Sequence, residues 1–147
     1  MKFIKLSQNK EAIVSDQDFE WLSQFNWFFD GNYAQRGENY KKVRMHNQIM
    51  GNSKGKFVDH INSNKLDNRR ENLRIVTIQQ NAWNMGKHKD SPIPFKGVYK
   101  NGKNWIVRIW KGKWYNFGTY SDMKKAARIY DARAKELFGE YAKLNFA

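Results

Sequence analysis

The chain has 147 residues, no cysteine, and 27 Lys plus Arg against 14 Asp plus Glu, for a formal charge of +13. That length suits one ordinary domain or two small ones; the missing thiols exclude disulfides and thiolate zinc sites, and no apolar window reaches the length of a membrane span. The positive field draws polyanions, nucleic acid or an anionic membrane surface, and a 16% aromatic content separates the chain from a disordered basic tail.

In chain order, residues 2–6 and 11–14 alternate apolar and polar side chains and predict two short strands. The start of the chain has no long apolar run and reads as no signal peptide, so an intracellular, cytoplasmic protein is expected. Ser15, with Asp18 three residues on, reads as a capping-box-like helix start, and Phe19, Leu22 and Phe25 form its apolar stripe. Trp27-Phe28-Phe29 and Asn32-Tyr33-Ala34 flank Asp30-Gly31 and predict a hairpin. A short helix is expected over Met45–Met50, ended by Gly51.

Phe57-Val58 predicts a strand running into Asp59-His60, followed by a polar loop to Arg70, a second strand over Leu73–Val76 and a helix over Ile78–Asn84 capped by Thr77. Asn64, Asp67 and Asn68 read as loop and turn formers. Residues 85–94, with Gly86, Pro92 and Pro94, read as a linker, and His88 as a loop residue within it. Beyond it, strands are predicted at Gly97–Tyr99, Asn104–Trp110 and Lys113–Phe117, then a helix capped by Ser121 that runs to Phe138 with Gly139 past its end, then a tail over Ala142–Phe146. Charge is uneven: 13 basic and 9 acidic side chains lie in residues 1–86, and 14 and 5 in residues 87–147.

The densest chemistry lies in the strand–loop–strand–helix segment. Asp59 and His60 are adjacent, with Asn72 and Asn81 downstream. A carboxylate and an amide oxygen suit a hard divalent cation such as Mg²⁺ or Mn²⁺, which commonly takes one or two protein ligands and fills its other positions with water and phosphate. An imidazole with a pKa near ~6.5 suits a general base at neutral pH. Asn72 either braces the loop or hydrogen-bonds His60. Arg69 and Arg74 are candidate phosphate contacts.

Asp59-His60, Glu71-Asn72-Leu73 and Gln80-Asn81 together resemble the HNH nuclease family in its His-Asn-Asn form, found in phage and intron-encoded homing endonucleases. The resemblance implies an α+β fold with a ββα-metal unit. It also implies Asp59 and Asn81 as metal ligands, His60 as general base, and Asn72 as support of the active loop. Asn81 departs from the parent pattern, which has a final His. Met45-His46-Asn47-Gln48 resembles a shorter segment of the family and places His46 behind the ligands or against the phosphate.

Residues 91–121 carry no acid and six basic residues, Lys96, Lys100, Lys103, Arg108, Lys111 and Lys113. Strand alternation puts Trp105, Val107, Ile109, Tyr115 and Phe117 on an apolar face toward the helix. It puts Arg108, Trp110, Trp114 and Asn116, with Lys96 and Tyr99, on the other. Phe95-Lys96-Gly97-Val98-Tyr99, Phe117-Gly118-Thr119-Tyr120, Ala126-Ala127-Arg128-Ile129-Tyr130-Asp131 and Lys143-Leu144-Asn145-Phe146 resemble the ethylene-response-factor type DNA-binding domain. That resemblance implies a three-stranded antiparallel sheet on one helix, binding DNA through Lys96, Tyr99, Arg108, Trp110, Trp114 and Asn116; Lys100, one of the six basic residues, is a further candidate contact.

The expected organisation is a nuclease domain over 1–86, a linker over 87–94 and a DNA-binding domain over 95–147. The expected activity is metal-dependent endonucleolytic cleavage of double-stranded DNA, of homing type, by a chain that acts as a monomer on DNA without membrane involvement. Its setting would be a bacterial or phage-infected cell. A DNA-binding regulator without cleavage, and a structure-specific or RNA-directed nuclease, are the competing classes.

Overall fold

The computed structural model describes residues 1–51 and 55–146, and by internal contacts the chain divides into two compact units, Met1–Ile78 and Gln79–Ala147. The first is built from small antiparallel pieces. Strands β1 (Lys2–Lys5) and β2 (Glu11–Val14) form a hairpin in register Ile4↔Ala12. Helix α1 (Asp16–Leu22) follows, then a sheet of β3 (Phe28–Phe29), β4 (Ala34–Glu38) and β5 (Lys41–Arg44) in that order. Helix α2 (Met45–Met50) leads to a second hairpin, β6 (Phe57–His60) with β7 (Leu73–Val76). Ile4, Ala12, Val14, Leu22, Met45 and Leu73 close one core, so both hairpins and both helices share it.

The expected Ser15 cap does not form. Ser15 Oγ instead accepts the Arg70 amide at 3.0 Å, and the buried Asp18 carboxylate takes the Arg70 guanidinium through two contacts of 2.8 Å. A charge-assisted bidentate pair is stronger than a local neutral cap, and it ties α1 to the segment before β7. The loop between β6 and β7 is also docked on β2: Ile13 N donates to Leu66 O at 2.8 Å, and Asn68 N donates to Ile13 O at 2.7 Å.

The second unit contains helix α3 (Ile78–Asn84) from Gln79 onward, a sheet of β8 (Val98–Asn101), β9 (Asn104–Trp110) and β10 (Trp114–Tyr120) in order β10-β9-β8, and helix α4 (Met123–Phe138). The later part of α3 joins this unit because Trp83 stacks on Phe138, with centroids 4.6 Å apart. Val98, Val107 and Ile109 pack on Ala126, Ala127, Tyr130 and Ala134 of α4. The α4 cap is Asp122 rather than Ser121; its carboxylate accepts the Lys125 amide at 2.5 Å, the reach an N-cap acceptor requires. β10 runs on to Tyr120 through an irregularity between Asn116 and Thr119. The tail packs back as expected: Asn145 N and Phe146 N donate to Asp131, while Asn145 Oδ1 accepts Lys96 N at 2.7 Å.

Gly97 sits at φ +72° against the buried Tyr130, and a Cβ there would lie 1.9 Å from the ring. Gly97→Ala is therefore expected to destabilise the second unit by roughly 2–5 kcal/mol, through left-handed backbone strain and overpacking. A thermal melt unchanged within error would refute this.

Candidate active site

β6 brings Asp59 and His60 to one end of the hairpin, opposite Arg74 and Leu73 of β7. The His60 ring is only 5% exposed. Its Nε2 lies 3.2 Å from Asn68 Oδ1, and Asn68 Nδ2 donates to Leu66 O at 3.2 Å. The second bond fixes the amide, so the oxygen faces the imidazole. Nε2 then carries the proton and Nδ1 the lone pair of a neutral ring. Burial pushes the His60 pKa below the ordinary imidazole value, opposed by the Asn68 hydrogen bond and by the Asp59 and Asp67 charges. The ring is consequently in its basic form at neutral pH.

Asn72 braces the loop. Its Nδ2 donates to Asp67 O at 2.7 Å and its Oδ1 accepts Asn62 N at 3.0 Å. Of the two roles open to it, the bond to His60 falls to Asn68. Asp67 is the loop's anchor: its buried carboxylate accepts Arg69 Nε and Nη2 and Asn62 Nδ2, each at 2.8 Å. Arg69 also pairs with Glu71. This candidate phosphate contact thus belongs to the loop's own ion cluster, which raises its pKa.

Arg74 pairs across the hairpin with Asp59, Nε and Nη2 standing 3.1 and 3.0 Å from Oδ2, both side chains 12% exposed. The carboxylate and the Asn81 amide are oxygen donors, the type a hard divalent cation takes, and two such donors suffice for an ion that also binds phosphate and water. They belong to different compact units. Asn81 is half-buried on α3. Among the described residues there is no group of three or more His, Cys, Asp or Glu able to hold an ion.

His46, on α2, stands edge-on to His60 with centroids 4.9 Å apart, and Tyr33 lies 5.1 Å from His46 and 6.2 Å from His60. His46 is buried, its Nδ1 has no hydrogen-bond partner, and burial, with the nearby His60 and Arg44, drives its pKa to about 3. It is a neutral wall to the His60 ring. Two exposed cations ride on Tyr33: the Arg44 guanidinium at 4.6 Å and Lys65 Nζ at 4.8 Å from its centroid. Sequence reasoning missed Asn68, Tyr33, Arg44 and Lys65. The density of Asn and Asp between His60 and Asn72 was the available signal for Asn68; Tyr33 and Lys65 are too far apart in the chain for spacing to join them.

In the second unit, Tyr99, Lys100, Arg108, Trp110, Trp114 and Asn116 are all exposed. Lys96 is placed differently: it is half-buried and its Nζ donates to the carbonyls of Trp83 and Met85 at 2.7 and 2.6 Å. Burial, aided by Lys143, lowers its pKa to about 8.

A family model described as HNH endonuclease matches residues 48–83, which span β6, the braced loop, β7 and most of α3. An uncharacterized HNH endonuclease of Acanthamoeba polyphaga mimivirus is 32% identical over 142 residues, covering 91% of this chain and 74% of its own length. Protein 3.8 of Escherichia phage T7 is 32% identical over 112 residues, covering 71% of this chain and 92% of its own. No solved structure gives a significant match. No helix among the described residues is long and apolar enough to cross a membrane. With the Asp59-His60 hairpin and its braced loop inside the matched segment, and with a relative similar over most of both chains, this α+β protein belongs to the HNH endonuclease family and is a nuclease.

Proposed function

We propose that the protein is a metal-dependent DNA endonuclease of homing type, in which His60 is the general base. The observation that carries this reading is the Asn68 lock: an acceptor on Nε2, itself fixed by the Leu66 carbonyl, leaves Nδ1 as the basic atom. His60 takes a proton from the water that attacks phosphorus, and Asn68 Oδ1 stabilises the imidazolium that forms. Proton transfer of this kind is typically worth ~10²–10⁴-fold. Asn72 and Asp67 hold the loop that holds Asn68. Arg44 and Lys65 offset phosphate charge near the ring. Asp59 and Asn81 would hold Mg²⁺ or Mn²⁺, whose chemistry there is Lewis-acid neutralisation of the phosphate and of the leaving 3′ oxygen. Arg74 balances the Asp59 charge across the hairpin and is a candidate contact for the same phosphate.

Residues 1–86 are read as the nuclease domain, 87–94 as a linker and 95–147 as a DNA-binding domain. Support for the last comes from its exposed Tyr99, Arg108, Trp110, Trp114 and Asn116, and from the sheet-on-helix architecture that the ethylene-response-factor resemblance implies. The substrate is double-stranded DNA and the acting species a cytoplasmic monomer, one unit cutting one strand. Supercoiled plasmid incubated with the protein and Mg²⁺ or Mn²⁺ is expected to be nicked, and EDTA to stop it. Undiminished cutting in EDTA would overturn the metal-dependent reading. Binding without any cutting would favour a regulator.

A further inference from the structure

We propose that the second unit binds DNA through an unpaired, unstacked nucleobase received in a cavity at the open edge of β9. This names the substrate class of the DNA-binding half and rests on the reading of the chain as a DNA enzyme. β8 pairs with β9 only as far as Val98↔Val107, and past the Arg108 N bond to Gly97 O at 3.0 Å that edge of β9 has no neighbouring strand among the described residues. A cavity of about 290 Å³ occupies the place, walled by Gln79, Ala82 and Trp83 of α3 and by residues of the sheet. The volume is at the small end of ligand sites, of about 300–1,000 Å³, and suits a single planar ring system.

Its walls have the chemistry of such a guest. Tyr99, Trp110 and Trp114 line it and remain 43%, 55% and 58% exposed. Their rings meet edge to face, Trp110–Trp114 at 5.4 Å and Tyr99–Trp114 at 6.4 Å, so none of the three is stacked on another. Exposed aromatic area of this size marks a binding surface. An indole offers one N–H donor and no acceptor, which reads a base-pair edge poorly. The face of any unpaired base, by contrast, stacks on it regardless of sequence. Charge complements the rings: Lys96, Arg108 and Lys111 line the same cavity, and residues 91–121 contain no acid. Arg108 is exposed and has no side-chain partner among the described residues, leaving its guanidinium for a backbone phosphate.

The test uses the full chain in EDTA, which separates binding from cutting. Tryptophan quenching and anisotropy are read against a labelled oligothymidylate, the same strand as RNA, a fully paired duplex, and that duplex with one unpaired thymine. Single-stranded DNA and the bulged duplex are expected to bind at least ~5-fold more tightly than the paired duplex. Trp110→Ala and Trp114→Ala are expected to lose ~10-fold or more on the single strand, with Trp110→Phe retaining most of it. Thermal melts confirm folding of these surface variants. Equal or tighter binding of the paired duplex, preference for the RNA strand, or Trp110→Ala binding like wild type would each overturn the proposal. A protein that prefers the unpaired base yet never cuts plasmid keeps this inference and loses the nuclease mechanism; one that cuts without the preference does the reverse.

Discussion

His60→Ala is expected to lower the single-turnover cleavage rate by ~10²–10⁴-fold and to leave duplex affinity within about twofold. The expectation comes from where the ring sits. It belongs to the first compact unit, packed against His46 and Tyr33 and hydrogen-bonded through Nε2 to Asn68, whereas the proposed DNA-binding residues belong to the second. Removing it therefore takes away the proton acceptor and spares the binding surface. Because the ring is buried, truncation also leaves a cavity, so His60→Gln serves as the partner variant. Gln keeps most of the volume and an amide able to donate to Asn68, but has no basic nitrogen. If both variants lose cutting and keep binding and melting temperature, the base is identified. Parallel loss of cutting, binding and folding in both would make His60 a structural residue.

Elements that rest on local pattern were legible in the sequence. β1, β2, α2, β6, β7 and α3 fall where apolar alternation, a glycine stop or a cap residue put them. β4 beyond Ala34 and all of β5 were not, and the reason is physical: Gln35 and Arg36 are buried in a strand without apolar alternation. Arg36 is held there by Gln48 and Glu38 and lies over the Phe25 ring, 4.1 Å from its centroid. Such burial rests on Gln48 and Phe25 as well as on the nearby Glu38, and the apolar spacing of the strand does not display those farther partners. The same holds at the site. Asp59, His60 and Asn72 stand out by type and interval, whereas Asn68 looks like any other turn-forming Asn. Asn64 does form the turn expected of it, its Oδ1 accepting the Leu66 amide, and Asn62 Oδ1 accepts the Asn64 amide in the same way. Only the docking of the loop on Ile13 decides that Asn68 points inward. Arg70 bonds to Ser15 and Asp18 across more than fifty positions, so the local capping pattern at Ser15 was outweighed by a contact it could not reveal.

Asp67→Ala is expected to cost roughly 2–4 kcal/mol of stability and to reduce cutting to near the level of His60→Ala. The carboxylate accepts bonds from Arg69 and Asn62, its backbone carbonyl takes Asn72, and the next residue holds His60. Losing the charge strands the Asn62 amide and frees the segment that positions Asn68. Asp67→Asn separates the two effects, keeping size while removing the charge that Arg69 grips. The Arg69 hydrogen bonds, opposed by burial and helped by Asn62, hold the Asp67 pKa below the ordinary carboxylate value. A carboxyl whose folded pKa is depressed gives stability that is complete above the unfolded value, about 3.9, and is lost as pH falls through the folded value. The wild-type melting temperature should therefore fall more steeply than that of Asp67→Asn as the pH drops below about 4, the two curves running parallel near neutral pH. Curves that stay parallel into acid would mean that the ion pair adds nothing to the loop. In that case the loss of cutting in Asp67→Ala would have to arise from the missing side-chain volume alone.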